Sequence, residues 1–574
     1  MTDNRNLLIA VVLSMLVLLG WSWVSQELYP PAKPPVATAP AAQPQAPGTP
    51  VTPDAPVAAP APTAPATSAI RSVPAVLAST PRIAIDTPSL KGSINLKGAQ
   101  IDDLTLDDHR SGLETVSPAV RLLSPIGTRN SVVAAFGWVG PAGAVPTLDT
   151  VWTADSDRLT PGRPVTLNAQ LANGMRYQLK IAVDDGYLFT VRQSVLNGTG
   201  APVSVRPTGL ISRSAKSADP TSWTTHVGPV SVFGGEADYG VDWESIDEGN
   251  KSFSNAAGWL GFGDKFWLTA LAPKGQVNAD FRKGQAGGYQ ADYVSAAVNL
   301  APGQSATTET RLFAGAKDYA RLKDYQASGI DQLSRAIDWG WFRWFMLPIF
   351  DLLLFLFKTF GNFGLAIIGL TFIVRLIMFP IANKQFQSMA AMRKVQPKLK
   401  AIQERFKDDK MRQQQEILAL YQKEKISPAA GCLPILLQIP VFYALYKVLM
   451  VSVEMRHQPF FGWIKDLSAP DPLTPVNLFG LLDFTPPAFL AIGILPILVG
   501  FTQWLTMKLN PQPMDPMQQQ IFSWMPWVLV FVMAPFAAGL QVYWLTNNVL
   551  TIAQQWWLYR RYGLHFSDTH PVET

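Results

Sequence analysis

Arg375 lies in the stretch Leu370-Thr-Phe-Ile-Val-Arg-Leu-Ile-Met-Phe-Pro380, with apolar residues on both sides. A charge at the centre of a membrane helix costs roughly 2.5–3.5 kcal/mol on insertion scales, so an arginine here needs a reason. One reading is snorkelling, since Pro380 is only five residues on, roughly 7.5 Å along a helix. The other is a water-filled cavity facing the cytoplasm, and it is favoured because no acid lies in any candidate span to neutralise the charge.

A second polar set lies near the C-terminus. Gln541, Trp544, Asn548, Thr551 and Gln555 recur at alternating three- and four-residue steps, which places them along one helix face. Asn547 and Gln554 widen the stripe. Amides also tie spans together by hydrogen bonds, so interhelical glue and cavity lining are both open for the stripe alone. Combined with Arg375 and with Gln438, also inside an apolar run, a shared hydrophilic interior is the stronger reading.

Nothing in the sequence is arranged for catalysis. There is no HExxH zinc site, no phosphate-binding loop and no GxSxG nucleophile elbow. His109, His226, His457, His565 and His570 are scattered without ligand spacing, and Gly198-Thr-Gly200 and Gly261-Phe-Gly263 read as turns in a β domain. Cys432 is the single cysteine, which leaves no disulfide framework or cysteine metal site. Neither an enzyme nor a cofactor is expected, and any work on a substrate is driven by the substrate's own partitioning or by another machine.

The elements that must hold these groups follow from composition. The 574 residues are 48% hydrophobic and 16% charged, with a net charge of +5; a soluble domain carries about 25% charged residues, so part of the chain belongs in lipid. Leu7–Val24 reads as an uncleaved anchor closed by Trp21 and Trp23, giving a segment 1–25. Residues 26–69 are a linker rich in Pro and Ala, too poor in core formers to fold. Residues 70–330 show a β pattern, with Asn173-Gly174, Asp185-Gly186 and Asn197-Gly198 as tight-hairpin signals in a large antiparallel sandwich. The segment 331–360 ends in an amphipathic helix at about 341–358, on the outer membrane surface.

Residues 361–561 form a helical polytopic region, with spans near 361–380, 431–451, 488–507, 521–533 and 540–557; the anchor makes six. Between the first two of these, 383–426 reads as a helical hairpin. Met389, Met392, Val395, Leu399, Ile402 and Phe406 follow helical steps, Pro397 should kink or divide that run, and Ile417, Leu418 and Tyr421 supply a packing face. Eleven bases, among them Lys394, Lys398, Arg405, Lys407, Lys410 and Arg412, stand against five acids from Lys384 to Lys425. The positive-inside rule therefore puts the hairpin, both termini and the short tail 562–574 in the cytoplasm and the β domain in a periplasm. The basic hairpin is either a loop that fixes topology or a docking arm; its amphipathic pattern favours a folded arm.

These residues resemble the signatures of the YidC family of membrane protein insertases. The resemblance is carried by Thr371-Phe-Ile-Val-Arg375 with Phe379-Pro380, by Gly431-Cys-Leu-Pro434 with Gln438-Ile-Pro440, by Asp515-Pro516-Met-Gln518, and by Gly539–Asn548. Asp338-Trp-Gly-Trp341, Gly258-Trp-Leu-Gly261 and Asp264-Lys-Phe-Trp267 add to it. It implies a multi-domain membrane protein: a five-helix insertase core after an anchor span, and an all-β periplasmic supersandwich. It also implies a hydrophilic groove open to the cytoplasm and lipid, with Arg375 as the groove arginine and Thr371, Gln438, Trp544, Asn547 and Asn548 around it. Trp544 stands where many relatives carry tyrosine. By the same resemblance, nascent membrane proteins slide along a lipid-facing edge near Thr371 and Trp544, alone or beside the Sec translocon; as a docking arm, the hairpin could receive the ribosome, the nascent chain or the translocon. No specific nucleic-acid recognition is implied, and the short tail argues against an extended ribosome-binding tail. Two rivals from other classes remain: a secondary transporter or channel, although no internal repeat is visible, and an anchored periplasmic sugar-binding or sugar-modifying protein.

Overall fold

The computed structural model describes residues 70–561 apart from 115, 220–224, 285–286, 408, 425–432, 483, 485–486, 488–489 and 510–515. Its side-chain description further excludes 385–394, 396, 410, 433–437, 480, 516–519 and 521–522. The expected anchor (1–25), linker (26–69) and tail (562–574) lie outside the described residues.

The β region builds two sheets. One runs Glu236–Asp238, Gly228–Phe233, Gly258–Gly263, Trp267–Pro273, Ser305–Ala316, Leu188–Leu196, Arg176–Val183, Val165–Gln170 and Thr153–Ala154 in spatial order. The other has eleven strands, from Lys251–Ala256 at one edge to Arg158–Leu159 at the far edge. Pairing is antiparallel except where Arg82–Asp86 meets Arg158–Leu159. The two-residue alternation that predicts strands also sets the core. Tyr177, Leu179, Ile181 and Val183 are buried on one strand, and Phe189, Val191, Gln193 and Val195 on its neighbour. Asn173-Gly174 joins two consecutive strands, with Gly174 at φ +95°, a region that glycine enters freely. The expectation of a tight hairpin at Asn197-Gly198 needs correction, because the chain there crosses from one sheet to the other. Asn197 is wholly buried, and its amide donates to the carbonyls of Ala201 and Leu300, so it staples a crossover loop.

Ten α-helices are described: α1 (Val73–Leu77), α2 (Trp243–Glu248), α3 (Tyr319–Ala327), α4 (Arg343–Phe360), α5 (Phe363–Arg405), α6 (Lys410–Lys423), α7 (Leu433–Val451), α8 (Ile494–Leu509), α9 (Pro516–Met533) and α10 (Ala538–Arg561). Helix α4 buries Met346, Phe350, Leu353 and Leu356 at helical steps, yet its other face exposes Trp344 and Phe355. An apolar outer face of that kind suits lipid better than water. Gly361 ends α4 in the left-handed region, and the Asn362 side chain accepts from Leu365 N–H to start α5.

Helix α5 spans 43 residues, about 65 Å at the standard rise. The chain stays helical through both Pro380 and Pro397, so the division expected as one outcome at Pro397 does not occur. Each proline removes one intrahelical bond, and packing offsets the loss at Pro397. Val395 and Leu399 bury against Ile417, Leu420 and Tyr421 of α6. Within α5, Phe363–Lys384 is long and apolar enough to cross a membrane; among the described residues it is the one helix that meets both tests. The helix expected from 488 begins at Ile494, where Asp471 sets its start. Asp471 Oδ2 accepts from Leu495 N–H, while Oδ1 accepts from Trp463 Nε1–H and Leu473 N–H.

A joint ties the β region to the helices. Arg456, just past α7, donates to the carbonyl of Arg110 at 2.8 Å and lies over the Trp267 ring. Glu454 accepts from Tyr319 N–H at the first turn of α3, and Lys447 of α7 pairs with Asp338 at 3.3 Å. Lys317 sits in the same region and is buried, with no carboxylate among the described residues within 4.0 Å of its Nζ. Asp264 is engaged by Arg213 and Asp338 by Lys447.

Burial pulls the Lys317 pKa from its ordinary 10.5 down to about 8, against the opposing pull of Asp264, Asp338 and Asp219. The folded state thus gives up this proton before the unfolded chain does. The penalty is full below pH 8 and fades as pH rises toward 10.5. Lys317→Met should raise stability at pH 7 by up to about 3 kcal/mol, and the gain should vanish near pH 10.5. Thermal unfolding of the detergent-solubilised chain at several pH values measures it; a variant no more stable than the parent at pH 7 refutes this account of Lys317.

Candidate functional site

The site begins with helix periodicity. Ile367, Thr371 and Arg375 are four residues apart on α5 and share a face, while Phe372, Leu376 and Ile377 turn outward and are exposed. Arg375 meets α10. Its Nε donates to Asn547 Oδ1 at 2.8 Å, and its Nη2 donates to the Asn547 carbonyl at 3.2 Å and to Thr551 Oγ1 at 2.5 Å. Thr551 Oγ1 in turn donates to the Asn547 carbonyl at 2.6 Å. No carboxylate among the described residues lies within 4.0 Å of the guanidinium. All three acceptors are neutral, so they solvate the charge without cancelling it.

Thr371 lies one turn before Arg375 on the same face of α5. It is buried, and its hydroxyl donates to the Ile367 carbonyl of its own helix at 2.7 Å. That bond commits the hydroxyl's proton within α5, and the neighbouring Phe372 is exposed.

The stripe on α10 divides. Asn547 and Thr551 bind Arg375 on α5, and Tyr543 Oη accepts from Gln438 Nε2 on α7. Trp544 Nε1 donates instead to Gln503 Oε1 of α8 at 3.3 Å, and Asn548 Nδ2 donates to Thr502 Oγ1 of α8 at 3.1 Å. The Trp544 ring also stands edge-on to Phe442 of α7, 5.1 Å between centroids. Gln541 closes the α9–α10 turn, donating to the carbonyls of Met533 and Phe536. A single polar face is therefore corrected to two seams. Successive residues are about 100° apart around a helix, so Asn547 and Asn548 address different neighbours.

Tyr543 is the residue that sequence reasoning missed. It reads as one more apolar position in Leu540–Leu545, and the available signal was its place four residues before Asn547. The phenol is buried between Gln438 and the Arg375 seam.

The basic positions from the hairpin are dispersed. Lys398 pairs with Glu424 at 2.7 Å, Arg405 and Arg412 both lie over the Phe406 ring, and Lys407 is exposed. The side chains of Lys394 and Lys410 lie outside the described residues.

Comparisons with known proteins cover nearly all of the chain. Residues 82–352 match the family model described as YidC periplasmic domain, and residues 355–564 match that described as 60Kd inner membrane protein. The membrane protein insertase YidC of Zymomonas mobilis subsp. mobilis is 46% identical over 569 residues, covering 98% of this chain and 96% of the relative. That of Nitrobacter hamburgensis is 46% identical over 590 residues with the same coverage. A solved structure described as an active YidC insertase with the first transmembrane domain resolved has a TM-score of 0.36 and 18% identity, covering 83% of this chain and 92% of that one. Two family models in order along the chain, and relatives of this identity over almost their whole length, place the chain in the YidC family of inner-membrane protein insertases, which carry a periplasmic domain and are not enzymes.

Proposed function

We propose that this chain inserts nascent membrane proteins through a hydrophilic groove between α5, α7 and α10, open to the cytoplasm and to lipid, without a bound energy source. One observation carries the reading: Arg375 keeps a full charge inside an apolar helix layer, held by Asn547 and Thr551 alone among the described residues. A charge maintained at that cost has a use when the substrate brings the opposite one.

In this reading the chain crosses the membrane six times, counting the anchor in residues 1–25, with both termini in the cytoplasm and the β domain in the periplasm. The excess of bases between Lys384 and Lys425 supports that orientation. The substrate's apolar helix slides along the exposed edge of α5 at Phe372, Leu376 and Ile377, while its short polar flank enters beside Arg375. The guanidinium lowers the desolvation cost of an acidic flank, and burial of the substrate helix in lipid drives the exchange. The helical arm of distal α5 and α6 presents Lys407 and the Phe406 cluster to the ribosome or the nascent chain, and the Sec translocon is a partner for larger substrates.

Arg375→Glu should reduce insertion of a short acidic-flanked substrate by at least about tenfold, the scale of one charge-assisted hydrogen bond. The measurement is protease protection in vesicles holding only this protein; undiminished insertion removes the arginine from the mechanism. Tyr543→Phe strips Gln438 of its acceptor in a low-dielectric interior and should destabilise the helical region by about 1–2 kcal/mol. A thermal midpoint in detergent equal to that of the parent protein would show that this bond contributes nothing.

A further inference from the structure

The way Arg375 is held bears on which substrates the groove accepts, an inference that rests on the groove reading. Of the three guanidinium nitrogens, Nε and Nη2 are committed to Asn547 and Thr551, while Nη1 has no hydrogen-bond partner among the described residues. Thr551 is itself fixed, because its hydroxyl accepts from Arg375 and donates to the Asn547 carbonyl. The Asn547 carbonyl therefore accepts two hydrogen bonds from side chains, and its side-chain oxygen accepts a third.

We propose that Asn547 and Thr551 are positioning residues that set the charge selectivity of the groove, reserving the Nη1 edge of Arg375 for a carboxylate on the substrate flank. Residue type is the core of the argument. Asparagine and aspartate have nearly the same shape, and either offers an oxygen to Nε. An aspartate at 547 would form a charge-assisted pair with Arg375 and cancel the field that attracts an acidic flank. The amide orients the guanidinium and leaves its charge in place. The substrate class is a hydrophobic helix with a short acidic flank, and the selectivity resides in an uncharged residue.

The test uses full-length protein in vesicles and two substrates that share one apolar helix, with flanks bearing either carboxylates or the matching amides. Each preparation is read as the ratio of acidic to amide-flank insertion, so a general folding loss lowers both and cancels. Asn547→Asp should lower that ratio by about tenfold, the scale of a hydrogen bond to a charged group. Thr551→Val should lower it less, and Thr551→Ser, which keeps the hydroxyl, should restore it. A parental ratio in both Asn547→Asp and Thr551→Val, together with a lowered ratio in Arg375→Ala, overturns the positioning role and leaves the groove reading intact. A parental ratio in all three, Arg375→Ala included, overturns the groove reading itself.

Discussion

A guanidinium is expensive to bury, and much of the helical region is arranged around that cost at Arg375. Charge transfer into a medium of low dielectric is unfavourable unless dipoles replace the lost water. Here Asn547 and Thr551 supply those dipoles from α10. Their positions require α10 to lie against α5, and the Tyr543–Gln438 bond draws α7 to the same seam. On its other side α10 is tied to α8 through Trp544 and Asn548. One helix thus carries two polar seams, and the helices around it are held by hydrogen bonds that lipid cannot compete for.

The β side of these helices is braced by ionic and backbone contacts. Lys447 pairs with Asp338, Arg456 reaches the carbonyl of Arg110, and Glu454 caps the first turn of α3. Each joins residues more than a hundred positions apart. Asp471 fixes the start of α8 nearby, and the α9–α10 turn hangs from the carbonyls of Leu467 and Ala469. Together these contacts fix the end of the helices nearest the β sheets.

Legibility followed the range of the interaction. Alternation in Tyr177, Leu179, Ile181 and Val183 is local, and the buried face of that strand could be read directly. The break at Gly361-Asn362 was legible for the same reason: a left-handed glycine followed by a capping asparagine acts within a few residues. Proline punctuation overstated one outcome at Pro397: the helix is not divided there, because burial of Val395 and Leu399 against α6 outweighs a single missing bond. The Asn197-Gly198 signal misled too, since the contact that decides it reaches to Leu300.

For the site, the residue types and helical spacing favoured a shared interior for an arginine and a polar stripe, because both are costly facing lipid. Which stripe residue faces which helix was a tertiary decision. Asn547 and Asn548 are identical in type and adjacent in sequence, and only the packing of α5 and α8 on different faces of α10 assigns one to the guanidinium and the other to Thr502. Tyr543 entered the site by the same route, as its hydroxyl gains a role only once Gln438 is brought beside it. The sequence specified the charge and its need for partners; the fold chose neutral ones, and that choice leaves the charge of Arg375 uncancelled.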